Sequence, residues 1–352
     1  MLHVVRHTLP QWLASLPLFE ASPVPPRVTP LGGYYGPDET AYIIELGDGK
    51  LVLKHYADGP EKPLPGKRAK DKAAAEAIAL PMYAPGGEAP ELIWEGPVEA
   101  QPGTYATISK WVEGTPADER PLTGQEIEQL AGALRTIHGN KEQVRLIAHT
   151  PRDLEAWWAA SHETYRDMPQ SLTDSLPAAV RESLTKVVQS VAADAQAHKR
   201  FWHLAPLTQI YGSPLPGSAV WKDGKPVLVS WERFGMGDPA YEVAYTASEI
   251  ARTAGPEAGE ALVTGYLAGV DDPSLATRIT MYRRLLPFSM TVDLMAQAGG
   301  PFPYISDKAG ALAHYLEAAL VTYEWSGGNT PEVAAQAREW AKSRTVAGED
   351  QG

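Results

Sequence analysis

Residues 41–46 and 51–56 alternate apolar and polar positions and are rich in β-branched and aromatic side chains; Gly47-Asp48-Gly49-Lys50 between them is turn chemistry. That pattern predicts two antiparallel strands closed by a tight turn. Residues 70–80 are Ala-rich and predict a helix stopped by Pro81. Residues 92–95 and 105–112 read as two further strands. The period then lengthens from two to about 3.6. Residues 123–138 place apolar side chains at helical spacing behind a Thr123 cap, with Glu126 at the third helical position as in a capping box. Long helices follow over 153–166 and 176–199. Residues 210–231 break the pattern with a Gly/Pro/Ser loop and then a hairpin, 219–221 and 227–231, around Lys222-Asp223-Gly224-Lys225. Beyond Pro239 helices are predicted over 241–253, 256–268, 273–298, 308–325 and 331–343.

The expected class is therefore α+β. Residues 1–27 form a lead-in, a short helix followed by a proline-rich joint. Residues 28–112 form a small β-rich lobe with one helix. Residues 113–345 form a larger helical lobe interrupted at 210–232, and 346–352 are a tail. Composition narrows the function classes. Among 352 residues, 44% are hydrophobic and 21% charged, so the chain can build a core. The 31 basic and 43 acidic side chains give a formal charge of −12, which disfavours nucleic acid and anionic membranes as partners. The absence of Cys removes disulfides, thiolate nucleophiles and Cys-ligated metals. The partly apolar stretch 9–19 lacks a basic lead and is cut by Pro10 and Pro17, so it does not read as a signal peptide; a cytoplasmic location is expected.

Generic motifs add little. Gly235-Met236-Gly237-Asp238-Pro239-Ala240 fits G-x-G-x-x-A, but a hairpin precedes it and Pro239 lacks an N–H that a phosphate would want. His138 reads as a helix cap or surface residue. Trp157, Trp158, Phe201 and Trp202 read as core, with an aromatic cage for a cation as the other reading.

Three strings carry a more specific signal. The first is Leu31-Gly32-Gly33-Tyr34-Tyr35, then Ala41-Tyr42-Ile43-Ile44, then Leu51-Val52-Leu53-Lys54, with Glu76 in the following helix. The second is Thr107-Ile108-Ser109-Lys110-Trp111-Val112-Glu113-Gly114. The third is Tyr211-Gly212-Ser213-Pro214-Leu215-Pro216-Gly217-Ser218, a hairpin, Val229-Ser230-Trp231-Glu232, and Gly237-Asp238-Pro239-Ala240-Tyr241-Glu242. Over residues 28–325 the chain resembles the aminoglycoside phosphotransferase/choline kinase family, whose fold is two-lobed and protein-kinase-like. The resemblance implies a glycine turn at Gly32 and Gly33. It implies a phosphate-contacting lysine at Lys54 paired with Glu76, and a hinge whose backbone, at Lys110 and Val112, meets adenine.

The resemblance also implies a loop of the form H-G-D-x-x-P-x-N followed by I-D-W-E. Here Tyr211 stands at the histidine, Ser213 at the base aspartate, Ser218 at the metal-binding asparagine and Ser230 at the metal-binding aspartate. A hydroxyl neither accepts a proton at neutral pH nor replaces a carboxylate around a hard cation. Asp238 reads as a cap of the next helix. The expectation is a pseudokinase that binds a nucleotide, another small ligand or a protein partner between its lobes, with weak dependence on Mg²⁺ and no metal held by the protein. Two alternatives stay open. One is an active ATP-dependent small-molecule kinase using displaced acids, with Glu232 as the metal ligand. The other is an interaction subunit that leaves the cleft unused.

Overall fold

A computed structural model describes residues 26–36, 39–47, 49–58, 68–98, 101–117, 120–203, 205–213, 215–296, 308–323 and 330–349. The expected lead-in helix and proline joint (1–25), the loop at 59–66 and the side chains of Phe201 and Trp202 lie outside these residues. The protein has the expected α+β architecture of a small sheet lobe and a mainly helical lobe.

The sheet lobe holds β1 (Arg27–Gly36), β2 (Glu39–Leu46), β3 (Gly49–Tyr56), β4 (Leu92–Pro97) and β5 (Tyr105–Lys110), in the order β1-β2-β3-β5-β4 with every pair antiparallel. The β1–β2 ladder breaks register between Pro30 and Tyr35, the stretch that carries Gly32 and Gly33. Leu46 faces Gly49 across the β2–β3 turn, where Gly47 takes φ +56, a conformation open to glycine at little cost. Val28, Ile44, Leu53, Ala106 and Ile108 form this lobe's core. Helix α1 (Ala69–Tyr83) packs against the sheet. It does not stop at Pro81. In the last turn a proline removes only its own N–H bond, and burial of Leu80 and Tyr83 holds the turn in place.

The helical lobe begins with a short strand, β6 (Thr115–Pro116), and helix α2 (Gly124–Gly139), whose Thr123–Glu126 capping box is fully formed. Ile127, Leu130, Ala131, Leu134 and Ile137 make its buried face. There follow α3 (Pro151–Arg166), the short α4 (Gln170–Asp174) and α5 (Ala178–His203). The irregular insert contains β7 (Thr208–Ile210), β8 (Ala219–Lys222), β9 (Lys225–Leu228) and β10 (Gly235–Gly237). The remaining helices are α6 (Pro239–Ala254), α7 (Pro256–Leu267), α8 (Leu275–Ala296), α9 (Lys308–Tyr323) and α10 (Thr330–Glu349). Residues 346–349, expected as tail, thus continue α10.

Two differences bear on the site. The β7–β10 ladder pairs residues that read as loop, and it needs glycine: a Cβ at Gly235 would lie 2.8 Å from the Leu146 carbonyl. Strand β9 ends at Leu228 rather than 231. The Trp231 indole N–H donates to the Leu228 carbonyl at 2.7 Å, which turns the chain out of the ladder. Glu232 therefore sits in a turn, not two residues along a strand from Ser230.

The lobes are joined through α1. Ala75, Ala79, Leu80 and Tyr83 belong to the large core of the helical lobe. The Tyr83 ring stacks on Trp231 with centroids 4.9 Å apart. Its hydroxyl donates to Gln209 and accepts from Asn140 Nδ2 at 3.3 Å. The Leu228 N–H donates to the Glu88 carbonyl at 2.8 Å.

Candidate active site

Strand β3 places Lys54 opposite Thr107 of β5, and α1 brings Glu76 over the same face. The Lys54 ammonium donates to Glu76 Oε1 at 2.5 Å, and the other Glu76 oxygen accepts from Thr107 Oγ1 at 2.5 Å. Both oxygens of the glutamate are used, so its aim at Lys54 is fixed. The pair is buried, Lys54 being 4% and Glu76 2% exposed, where a lone charge would be costly. The lysine also reaches the helical lobe, donating to the Val229 carbonyl at 2.8 Å and to Glu232 Oε2 at 3.3 Å. A second buried pair stands beside it, Lys72 to Glu39 at 3.5 Å. Burial first, and the nearby Glu232 charge second, push the Glu39 carboxyl up to about 7.

Between β7 and β8 the loop turns at Gly212, which has φ +81; a Cβ there would lie 2.5 Å from the Arg233 carbonyl. Glycine is required on both counts. The loop is held from below by Glu242 of α6, whose carboxylate accepts the Tyr211 N–H at 3.1 Å and the Gly212 N–H at 2.5 Å. His138 Nε2 lies 2.7 Å from the same carboxylate, and His138 Nδ1 lies 2.7 Å from the Tyr266 hydroxyl. His138 is therefore a buried bridge, not a cap or surface residue. Helical spacing carried the signal, since His138 lies four residues after Leu134 and seven after Ala131 on the buried face of α2. Tyr211, at the histidine position, spans the two loops of the site. Its hydroxyl donates to the Ser218 carbonyl at 3.2 Å and accepts the Ser230 N–H at 2.9 Å. Burial, then the Glu232 charge, raise its pKa, so the phenol stays neutral.

The three serines converge. Ser213, Ser218 and Ser230 are buried, and the Ser213 hydroxyl donates to the Ser230 carbonyl at 2.6 Å. Glu232 lies against the first of them, its Oε1 3.4 Å from Ser213 Oγ. Burial alone would raise the Glu232 carboxyl, but Lys54 above all, with Arg233, holds it below the usual carboxylate range. The donor set around these loops is thus hydroxyls, carbonyls and one carboxylate that already accepts from an ammonium. With the Ser218, Ser230 and Val229 carbonyls and Glu232 already accepting hydrogen bonds, that set leaves too few anionic oxygens to fit a divalent ion. Among the described residues no group of three or more His, Asp or Glu is arranged to hold a metal.

The other expected positions lie outside this cluster of contacts. Gly32 and Gly33 lie in β1 at the register break. The Lys110 N–H donates to the Glu91 carbonyl at 2.9 Å, and the Lys110 ammonium pairs with Glu91 Oε2 at 2.5 Å. Val112 lies in the connection to β6. Asp238 caps α6 through the Ala240 N–H at 3.0 Å, and also accepts from the Tyr282 hydroxyl at 2.8 Å. Trp157 and Trp158 are core residues; the Trp157 indole donates to Asp293, whose carboxyl burial pushes up to about 6. Sequence reasoning missed Thr107, the Val229 carbonyl, Glu39, Lys72 and Glu242. Two of these carried a signal. Lys72 lies four residues before Glu76 on α1, and Glu39 lies two before Ala41, the β2 residue paired with Lys54.

A choline/ethanolamine kinase family protein from Mesorhizobium loti superposes with TM-score 0.57 at 20% identity, over 94% of this chain and 97% of that one. Spectinomycin phosphotransferase, solved with ADP and spectinomycin, gives 0.53 at 13% identity over 89% and 93%. The choline kinase LicA from Streptococcus pneumoniae gives 0.53 at 16% over 84% and 94%. At these identities the likeness shows the shared kinase-like fold. A search of curated protein sequences gives no match. The sequence profile of the phosphotransferase enzyme family matches residues 28–288, most of the chain, and the two-lobed fold accords with it: the chain belongs to that family.

Proposed function

We propose that the cleft between the lobes binds a phosphate-bearing small molecule, a nucleotide in the first instance, without ordinary Mg²⁺-dependent phosphoryl transfer: the protein is a pseudokinase. One observation carries this reading. Lys54 and Glu76 are paired at 2.5 Å, while Ser213, Ser218 and Ser230 stand where the family holds its base and metal ligands. Phosphoryl transfer rests on positioning and on neutralising charge, and these serines supply no anion for either. The nucleotide is supported by solved relatives that carry ADP or GDP beside a small-molecule substrate.

A second reading, an active ATP-dependent small-molecule kinase with a displaced acid, is favoured by the Glu232 carboxylate 3.4 Å from the Ser213 hydroxyl. Thermal unfolding with ADP or ATP, with and without Mg²⁺, separates the two. A ligand at 100 times its Kd adds about 2.7 kcal/mol to stability. The pseudokinase gives a shift that changes little with Mg²⁺ and is lost in Lys54→Ala. Strong Mg²⁺ dependence with steady ADP release returns the kinase. No shift with either nucleotide returns a subunit that leaves the cleft unused.

A further inference from the structure

Lys54 makes more contacts than a phosphate-binding lysine needs. An ammonium has three donors. Here one goes to Glu76 within the sheet lobe, and two cross to the helical lobe, to the Val229 carbonyl at 2.8 Å and to Glu232 Oε2 at 3.3 Å. Glu232 is 1% exposed and its position is not incidental. It follows Trp231, which is fixed by the Leu228 carbonyl at 2.7 Å and by the Tyr83 ring at 4.9 Å, and Ser213 Oγ lies 3.4 Å from its other oxygen. The carboxylate is thus held where it draws the ammonium across the cleft.

We propose that Glu232 is a built-in competitor for Lys54, so that a phosphate-bearing ligand binds by displacing this carboxylate from the ammonium. The inference rests on the proposed phosphate-binding function and adds what regulates that site. In the free protein the ammonium has two carboxylate partners, one in each lobe. A phosphate group approaching it meets the Glu232 charge and must break the contact that ties the lobes. Removing the Glu232 charge while keeping its shape leaves Lys54 paired with Glu76 and bonded to the Val229 carbonyl, with no second carboxylate for a phosphate to displace. Glu76 has no such effect, because its contact lies within one lobe and aims the lysine.

The test is calorimetric titration of Mg²⁺-free ADP and of inorganic pyrophosphate into the wild type, Glu232→Gln, Glu76→Gln and the double variant Glu232→Gln/Lys54→Met. The expected result is binding of both anions at least ten-fold tighter in Glu232→Gln, no gain in Glu76→Gln, and loss of the gain in the double variant. Tightening for pyrophosphate alone supports the competition and removes the nucleotide reading. Equal or weaker binding of both anions in Glu232→Gln overturns the competition, even where the wild type binds ADP. A gain that survives Lys54→Met also overturns it, because the effect is then one of general charge. Glu232→Asp keeps the charge and shortens its reach, so it carries the same test, with a smaller gain, if the glutamine variant does not fold.

Discussion

Glu39 shows what burial among charged neighbours does to a single group. Its carboxyl is raised to about 7 from 4.5, by burial first and by Glu232 second, against the pull of Lys72. The folded protein therefore holds this proton more tightly than the unfolded chain. Stability associated with the protonated group is present below about 4.5 and is lost as pH rises to about 7. Glu39→Gln, which mimics the protonated form, is expected to be near neutral at pH 5 and stabilising at pH 8. The swing is on the order of 2–3 kcal/mol, since each pKa unit corresponds to about 1.4 kcal/mol. Urea unfolding of both proteins at the two pH values checks this, and a swing of the opposite sign would remove Glu39 from the cluster.

At the scale of elements, the loop of residues 211–218 owes its shape to a helix. Glu242 presents one carboxylate to two backbone N–H groups and to His138, which is why the loop keeps a defined form with serines at its working positions. Glu242→Ala leaves the Tyr211 and Gly212 N–H groups without this acceptor. A buried orphaned donor costs about 1–3 kcal/mol, so a loss of at least ~2 kcal/mol is expected. Denaturant midpoints measure it, and a change under ~0.5 kcal/mol would mean that water or another acceptor takes over.

What the sequence could reveal divides along the same line. Period and cap signals placed α2 at Thr123 and the β2–β3 turn at Gly47, because both depend on neighbouring residues alone. The family strings set Lys54 beside Glu76. They could not show that Glu232 leaves its strand, since that turn depends on an indole reaching back to Leu228. Nor could they show which groups His138 meets, since its partners lie 104 and 128 residues away.

For the whole molecule, the decisive feature is that α1 belongs to both lobes. Its early turns face the sheet through Ala69 and Ala73, and its last turn enters the helical core through Tyr83. Burial, against the opposing pull of the hydrogen bond from Asn140, pushes the Tyr83 hydroxyl up to about 12, so the ring remains neutral in its stack on Trp231. Tyr83→Ala removes that stack and leaves a cavity at the junction. Aromatic truncations in cores cost about 3–5 kcal/mol. The expected outcome in calorimetry is a lower and broader transition in which the sheet lobe unfolds first. One sharp transition with an unchanged midpoint would show that the lobes are coupled elsewhere.

The contact between Ser213 and Glu232 also bears on what an acid at position 213 would meet. An aspartate at 213 would set a second anion against the oxygen that now lies 3.4 Å from a hydroxyl, and against a carbonyl that now receives that hydroxyl's hydrogen at 2.6 Å. Like charges that close are unfavourable in a desolvated site. Installing an acid there is therefore uphill until the surroundings change, so in a series of substitutions at 213, 218 and 230 the order matters as much as the number.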